Sequence, residues 1–237
     1  MINWRLEQYP ELGSTSDEIV RRAMAGEAEG LAVLALRQTA ARGSRGRAWT
    51  VPEGNLNLSV LLRPRRPAAE AGLFSLLTGV AVAEALEQLG ARDLILKWPN
   101  DILHQTAKLA GILIDAAPED GRLGWLAIGI GANLLMAPEI PGRLTTSLAA
   151  QGVRVTAGLV AEAILSRLDL WCMASAAEIR AAWLARGHAL GTELQIAYGG
   201  RHVTGRFAGL SDTGELLLQR ENGVDILSTG EVLLAER

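Results

Sequence analysis

Lys108-Leu109-Ala110-Gly111-Ile112-Leu113-Ile114-Asp115 is an apolar run that begins with a lysine and carries a glycine near its centre. A short run rich in branched aliphatic residues predicts a buried β-strand. Burying a lysine is costly unless its ammonium meets an anion, and a glycine inside a strand allows a ligand or another backbone to approach closely. The run therefore predicts a strand that presents a cation to a ligand, with an exposed lysine at a strand start as the alternative.

The next apolar run along the chain, Leu126-Ala127-Ile128-Gly129-Ile130-Gly131-Ala132-Asn133-Leu134, predicts a second strand. Gly129 and Gly131 share one face of it and leave space there, and Asn133 offers a donor and an acceptor that suit the edge of an adenine. The Gly-x-Gly lies within the strand and no helix follows it, so it is not a dinucleotide-binding fingerprint. Glycines that only serve packing are the alternative.

The remaining pattern predicts an α+β domain followed by a small all-β domain. The boundary is expected near Arg186-Gly187-His188, which gives domains 1–186 and 187–237. Predicted strands of the first domain are Asn3–Tyr9, Leu31–Gln38, Asn55–Arg63, Leu94–Trp98, Lys108–Asp115 and Trp125–Asn133. In the third of these, apolar and polar residues alternate through Leu56-Asn57-Leu58-Ser59-Val60, which predicts a half-buried strand. Its predicted helices are Ser14–Ala25, Ala69–Leu89, Val155–Met173 and Ala176–Ala185. The second domain is expected to be a barrel of the strands Glu193–Tyr198, His202–Leu210, Glu215–Arg220, Asp225–Ser228 and Glu231–Leu234.

Arginines and glycines alternate in the loop Gln38-Thr39-Ala40-Ala41-Arg42-Gly43-Ser44-Arg45-Gly46-Arg47-Ala48-Trp49. Glycines allow a backbone to wrap closely around a ligand, and arginines form bidentate hydrogen bonds with phosphate or carboxylate. Trp49 adds a flat face for a ring. The loop favours closure over an anionic ligand that carries a ring, with a solvated surface loop as the alternative.

A third candidate segment, Lys97-Trp98-Pro99-Asn100-Asp101, comes at the end of a predicted strand. Pro99 keeps Trp98 out of a helical conformation, and the Asn-Asp pair favours a turn. A lysine, an amide and a carboxylate are therefore expected together at one strand end. A plain turn is the alternative.

Composition excludes several classes of protein. A net charge of −3 over 237 residues argues against general nucleic-acid binding. The single cysteine, Cys172, excludes an internal disulfide and a cysteine cluster for a metal. His104, His188 and His202 lack the spacing of metal ligands, so no metal site is predicted. Glycine and asparagine interrupt the apolar runs and no signal-peptide pattern is present, so we expect a cytoplasmic protein that does not span a membrane.

Six short motifs, in this order, resemble those of biotin–protein ligases. They are Gly13-Ser14-Thr15-Ser16, the loop from Gln38 to Trp49, Gly54-Asn55-Leu56 with Leu58-Ser59, Lys97–Asp101, Lys108–Leu113 and Gly129–Asn133. The resemblance implies a mixed β-sheet catalytic domain flanked by helices, like that of class II synthetases and lipoate ligases, and a C-terminal SH3-like barrel. Only a dozen residues precede the first motif, which implies the monofunctional type without an N-terminal DNA-binding domain.

The resemblance also implies a reaction and its participants. Biotin and Mg-ATP would give biotinyl-5'-AMP and pyrophosphate, and biotin would then pass to a lysine of a biotin carboxyl carrier protein domain in a biotin-dependent carboxylase. ATP with Mg²⁺ is a co-substrate, and no prosthetic group is implied. Two anions must approach each other, so the chemistry needs positive charge. No DNA or membrane partner is expected, and the oligomeric state stays open, a homodimer included.

By analogy with the family, site residues fall into three groups. Lys108, Arg42 and Asp101 are the expected catalytic residues: Lys108 meets the biotin carboxylate and the α-phosphate, and Asp101 orients the incoming lysine. The biotin side is expected to consist of Ser14, Thr15, Ser16, Gln38, Arg42, Gly43, Ser44, Lys108 and Gly111. The nucleotide side is expected to consist of Arg45, Arg47, Trp49, Asn100 and Asn133.

The chain departs from the family pattern in its first motif and in the loop. The family loop usually reads Gly-Arg-Gly-Arg, where this chain has Ala41-Arg42-Gly43-Ser44. Ser16 stands where asparagine is usual. The loss of an arginine at Ser44 predicts weaker retention of the adenylate. Lipoate–protein ligase and a non-catalytic small-molecule sensor on the same scaffold are the alternative functions, and the Arg-Arg-x-Ser-Gly-Gly-Gly loop expected of the former is absent from this sequence.

Overall fold

Two β-sheets organise the computed structural model, which describes residues 1–46, 49 and 52–233, with only the backbone at Arg45. The larger sheet has seven strands in the order β1-β2-β3-β7-β6-β5-β4. Its strands are β1 Arg5–Leu12, β2 Leu31–Gln38, β3 Leu56–Leu62, β4 Leu94–Lys97, β5 Asp101–His104, β6 Ala107–Glu119 and β7 Arg122–Ala132. Strands β1 and β2 are parallel and the other neighbours are antiparallel, which confirms a mixed sheet.

Helices cover both faces of this sheet. They are α1 Thr15–Met24, α2 Ala71–Gln88, α3 Ala157–Trp171 and α4 Ala176–Leu184. Helix α1 packs alone on one face, where Ile19 and Ala23 join Val33, Leu61 and Ala127 in a small apolar cluster. Helices α2 and α3 pack on the opposite face, in the main core.

The first turn of α1 lies directly at the candidate site. Ser14 caps the helix, because its side chain accepts a hydrogen bond from the backbone N–H of Asp17 at 3.3 Å. A capping serine satisfies one of the free N–H groups of a first turn. Thr15 and Ser16 follow it and are buried against the sheet. The cap therefore fixes where three small hydroxyl side chains meet the sheet.

The smaller sheet is antiparallel, in the order β11-β10-β9-β8-β12. Its strands are β8 Glu193–Tyr198, β9 Arg201–Leu210, β10 Leu216–Arg220, β11 Gly223–Leu227 and β12 Glu231–Leu233. Its buried side chains continue the main core of the first domain. Trp98 joins the two sheets, since its indole N–H donates to the carbonyl of Gly214 at 3.2 Å and a Cβ on Gly230 would lie 3.2 Å from its ring. The SH3-like domain expected from the resemblance is confirmed.

Two predictions about elements were wrong. The alternation in β3 predicted a half-buried strand, but all seven of its residues are buried, since α1 covers the face that carries Asn57 and Ser59. Asp101 was expected in a turn, whereas the turn ends at Asn100 and Asp101 opens β5. The predicted last strand reached Leu234, which lies outside the described residues.

One stretch, Ala68–Gln88, is long and apolar enough to cross a membrane by length and composition. It includes α2, and 67% of its most apolar window is buried inside the protein. Its apolar surface is therefore used in the core between the sheet, α3 and α4.

Candidate functional site

A single row of residues crosses five neighbouring strands of the large sheet. In register, Asn57 pairs with Gly131, Gly131 with Gly111, Gly111 with Asp101, and Asp101 with Lys97. Side chains of directly opposed residues lie on the same face of a sheet. The row therefore carries a polar amide at one end, two glycines without side chains at its centre, and two charged side chains at the other end. It runs along the face that carries α1.

Trp49 covers the two glycines at the centre of the row, and Ser16 covers Gly129, which lies two residues before Gly131 on the same face of β7. A Cβ on Gly131 would lie 2.6 Å from the indole nitrogen of Trp49, and one on Gly111 would lie 3.4 Å from the same ring. A Cβ on Gly129 would overlap the hydroxyl of Ser16. These glycines are therefore required because side chains of the loop and of α1 lie against the backbone of β6 and β7.

Hydrogen bonds connect the residues at the polar end of the row. The side-chain oxygen of Gln38 accepts from the backbone N–H of Thr15 at 2.7 Å, and its amide donates to the Asn57 oxygen at 3.0 Å. The Ser59 hydroxyl donates to the Thr15 hydroxyl at 2.8 Å. The Ser16 hydroxyl lies 3.2 Å from the same Ser59 oxygen. This end therefore presents a fixed set of uncharged donors and acceptors, suited to a neutral polar ligand group.

Three charged side chains meet at the other end of the row. The Lys108 amine donates to one carboxylate oxygen of Asp101, and the Lys97 amine lies 3.1 Å from the other. Their side chains are 10%, 7% and 8% exposed for Lys108, Lys97 and Asp101. The cluster therefore holds two positive charges and one negative charge in a nearly dry site, which favours binding of a further anion.

The same contacts shift the proton affinities of two of these groups. Burial alone would raise the pKa of Asp101, but the charges of Lys108 and Lys97 outweigh it and hold that pKa below its usual value. Burial lowers the pKa of the Lys108 amine, while the charge of Asp101 opposes that effect. The Lys108 amine also lies 5.1 Å from the centre of the Trp49 ring, a cation–π distance.

Arg42 lies at the mouth of the cleft, where two acidic residues bind it. Its guanidinium forms ion pairs with Asp17 of α1 at 2.7 Å and with Asp115 of β6 at 2.6 Å. The hydrogen bond that Arg42 donates to the Asp115 carboxylate raises the pKa of Arg42. The positive charge of Arg42, which was predicted to act on the ligand, is thus paired with two carboxylates in this structure.

The structure brings most of the predicted residues into one cleft of about 470 Å³. The cleft is lined by Ser14, Thr15, Ser16, Gln38, Arg42, Gly43, Ser44, Trp49, Asn57, Asn100, Lys108, Gly111, Gly129 and Gly131, with Leu58, Ile112, Leu113 and Ile130. Asp101 lies behind Lys108 and lines a neighbouring recess.

The residues predicted to bind the nucleotide do not all line this cleft. Trp49 lies beside the biotin-side residues Lys108 and Gly111. Asn100 lines the cleft, but its amide donates to the carbonyl of Ile112 at 2.7 Å. Asn133 is 3% exposed and outside the cleft lining, with its amide donating to the carbonyl of Thr146 at 3.0 Å. The side chain of Arg45 and all of Arg47 lie outside the described residues.

Asn57 and Ser59 were not selected from the sequence as site residues, and Lys97 was selected only as part of the segment Lys97–Asp101, without a role. The alternation in β3 was interpreted as a half-buried strand, yet Asn57 is 2% and Ser59 0% exposed. A polar pair in a strand that lies between two apolar strands is a signal that could have identified them. Among the described residues, no group of three or more His, Cys, Asp or Glu is arranged to hold a metal ion.

Comparison with known proteins identifies the family of this chain. Residues 15–133 match the model of the Biotin/lipoate A/B protein ligase family, and residues 189–234 match the biotin protein ligase C-terminal domain. The chain belongs to the biotin/lipoate protein ligase family. Within this family, it is 35% identical to a biotin–[acetyl-CoA-carboxylase] ligase of Paracoccus denitrificans, over 84% of this chain and 88% of the relative. A ligase of the same name from Mycobacterium tuberculosis is 33% identical, over 97% of this chain and 89% of the relative.

A solved structure places this family member among the ligases that act on biotin. The biotin protein ligase of Aquifex aeolicus in complex with biotin and ATP superimposes with a TM-score of 0.80 at 30% identity. The match covers 98% of this chain and 99% of the other. The chain is therefore an enzyme of the biotin ligase type.

Proposed function

We propose that this enzyme joins biotin to AMP and then transfers biotin to a lysine of a carrier protein domain. In the first step an oxygen of the biotin carboxylate attacks the α-phosphorus of ATP, and the bond to the β-phosphate oxygen breaks to release pyrophosphate. In the second step an uncharged lysine amine attacks the carbonyl carbon of biotinyl-5'-AMP, and AMP leaves. Mg²⁺ enters bound to ATP.

Supporting the first step is the position of Lys108 at the charged end of the row. Two anions must approach each other there, and a cation fixed beforehand in a nearly dry site stabilises the charge that develops. The uncharged network of Thr15, Gln38 and Asn57 suits the polar ring of biotin, and the glycine row gives its chain a path between the two ends. Arg42 would release Asp17 and Asp115 as the ligand binds.

Supporting the second step is Asp101. It is adjacent to Lys108 and lines a recess on the side of the charged cluster away from the glycine row. A carboxylate there can orient an incoming ammonium and accept its proton. The names of the relatives point to acetyl-CoA carboxylase, so we propose its biotin-carrying domain as the partner, in the cytoplasm, with no DNA or membrane involved. The sequence leaves the oligomeric state open, and a homodimer is the prediction to be tested.

A two-stage assay tests this proposal. Pyrophosphate release from ATP should require biotin and should not be supported by lipoate. Addition of a carrier domain should then yield a biotinylated carrier lysine and AMP in equal amounts. Pyrophosphate release with lipoate alone would favour the lipoate branch of the family, and ligand binding without any pyrophosphate would favour a sensor.

A further inference from the structure

Only two lysines, Lys97 and Lys108, occur in the chain, against twenty-one arginines. Both lysines bond the same carboxylate, Asp101, one on each oxygen. An ammonium is a compact point charge, whereas a guanidinium is a wide planar fork. The two positions that contact Asp101 thus use the smaller cation, in a protein that uses the larger one everywhere else.

The two lysines differ in what else they contact. Lys108 lines the ligand cleft and lies beside Trp49 and Gly111. Lys97 lies on the opposite side of Asp101 and is absent from the cleft lining. Its amine instead donates to the backbone carbonyl of Val232 at 3.2 Å, in strand β12 of the C-terminal domain. Lys108 therefore faces the ligand cleft, whereas Lys97 lines the recesses on the other side of Asp101 and bonds both Asp101 and the C-terminal domain.

This difference matters when an anion enters the cleft. A carboxylate or phosphate that binds Lys108 competes with Asp101 for the same amine. A buried carboxylate that loses its only cation becomes protonated or moves toward solvent. Asp101 keeps a second cation, Lys97, on its other oxygen.

We propose that Lys97 is a positioning residue for the transfer step, which holds the Asp101 carboxylate charged and in place while Lys108 binds the adenylate. The inference rests on the proposed function. Strand β12 takes part in it, because the carbonyl of Val232 orients the Lys97 amine. The C-terminal domain is thereby linked, through Lys97, to the carboxylate proposed to receive the carrier lysine.

Other charged groups surround this cluster and define the test. Arg143, paired with Glu231, lines the same recess as Asp101 and lowers the pKa of Lys108. His188 is influenced by the charge of Lys97. None of these groups bonds Asp101 among the described contacts, so Lys97 and Lys108 are the cations that act directly on the Asp101 charge, and the test removes Lys97 while Lys108 stays in place.

The experiment separates the two steps in Lys97→Met, a change that keeps the length of the side chain and removes its charge. Single-turnover pyrophosphate release measures adenylation, and transfer from preformed adenylate to a carrier domain is measured between pH 6 and 9. Transfer should fall at least tenfold more than adenylation near neutral pH. The ratio of variant to wild-type transfer should recover as the pH rises, because Asp101 without Lys97 ionises at higher pH.

Three further variants make the result decisive. Lys97→Arg should restore part of the transfer rate, since it keeps the charge. Arg154→Met removes an exposed cation and should leave the ratio of the two steps unchanged. In an Asp101→Asn background, Lys97→Met should add less than a twofold effect, because Lys97 acts through Asp101. If Lys97→Met fails to fold, Lys97→Arg and its pH profile carry the test.

Equal slowing of both steps, or additive effects of Lys97→Met and Asp101→Asn, would overturn the inference and leave the proposed function intact. A wild-type protein that releases no pyrophosphate with biotin would instead overturn the proposed function, and the inference with it.

Discussion

Lys108 is the residue on which the first step depends most directly. Its amine is buried, bonds Asp101 and faces the cleft, so its charge is fixed before any ligand arrives. Replacing it with alanine should slow adenylate formation by an amount that corresponds to roughly 2–4 kcal/mol, as expected for one contact made mainly in the transition state. Stopped-flow detection of pyrophosphate measures the effect.

The fold should survive this change, since Lys97 remains as a partner for Asp101. The melting curve of Lys108→Ala is therefore the control. A folded variant that releases pyrophosphate at the wild-type rate would show that Lys108 does not act on the anions.

Ser44 is the residue at which this chain departs most from the family loop. It lines the cleft with an uncharged hydroxyl, and the nearby Arg42 is already bound by Asp17 and Asp115. An arginine at this position would add a charge-assisted hydrogen bond to the phosphate of the adenylate, worth roughly 1.5–3 kcal/mol. Ser44→Arg should therefore retain preformed biotinyl-5'-AMP about tenfold to a hundredfold longer in a chase experiment. Equal release rates would mean that another cation of the loop already compensates.

Among single residues, the sequence identified those whose chemistry is conspicuous. Lys108, Gly111 and Gln38 were selected and lie in one cleft. Asn57 and Ser59 were missed because only the register of the sheet places them opposite Gly131 and Gly129, and Lys97 was selected with its segment but given no role. Asn133 was selected as an adenine contact because its amide offers a donor and an acceptor, but that amide donates to the backbone carbonyl of Thr146. Local sequence carries no information about such long-range partners.

At the scale of elements, strand β7 and the arginine-rich loop depend on each other. Gly131 has no side chain because the Trp49 ring lies against its backbone. Gly131→Ala should leave the strand intact, since alanine is at least as stable as glycine there, but should push Trp49 away from the cleft. We expect biotin to bind at least tenfold more weakly, measured by titration calorimetry.

Gly158→Ala in α3 is the matched control, because nothing lies within 4 Å of the Cβ it would introduce. It should raise the melting temperature slightly and leave biotin binding unchanged. Unaltered biotin affinity in Gly131→Ala would show that the position of Trp49 does not matter for binding.

Most elements were predictable from local pattern, and the exceptions have a physical cause. Strand β2 has the predicted bounds, Leu31–Gln38, and α1 begins at Thr15, one residue after its predicted start at Ser14. Strand β5, Asp101–His104, was missed because four residues of mixed character give no periodicity. It becomes a strand by pairing with β4 and β6. Tertiary pairing, rather than propensity, creates such short strands.

At the scale of the whole molecule, His188 lies in the connection between the two domains. Its ring is 6.2 Å from that of Trp183 and 5.8 Å from that of Phe207, and its Nε2 finds no hydrogen-bond partner among the described residues. Burial, with a smaller effect from Lys97, lowers the pKa of His188 to about 4. Protonation of this ring therefore opposes the packing of the C-terminal domain.

The sign of the pH dependence follows from that pKa. An unfolded histidine titrates near 6.5, so His188 contributes stability that is fully present above about pH 6.5 and is lost as the pH falls toward 4. The loss amounts to about 3 kcal/mol in all. Chemical denaturation at pH 7, 6 and 5 should show it, and His188→Phe should flatten the profile over the same interval. An identical profile in His188→Phe would mean that this ring is not the titrating group.

The shared carboxylate of Lys97 and Lys108 has a chemical consequence for the enzyme surface. Biotinyl-5'-AMP is a mixed anhydride that acylates any unprotonated amine it meets, and the only two ε-amines of this chain are buried on Asp101. An enzyme that releases its intermediate would thus modify neighbouring proteins before it modified its own side chains. Incubated with biotin and ATP but no carrier, the chain should carry no biotin on lysine by mass spectrometry, while a lysine-rich bystander protein does. Arg201→Lys, which places an amine on an exposed strand, should make the enzyme a target of its own product.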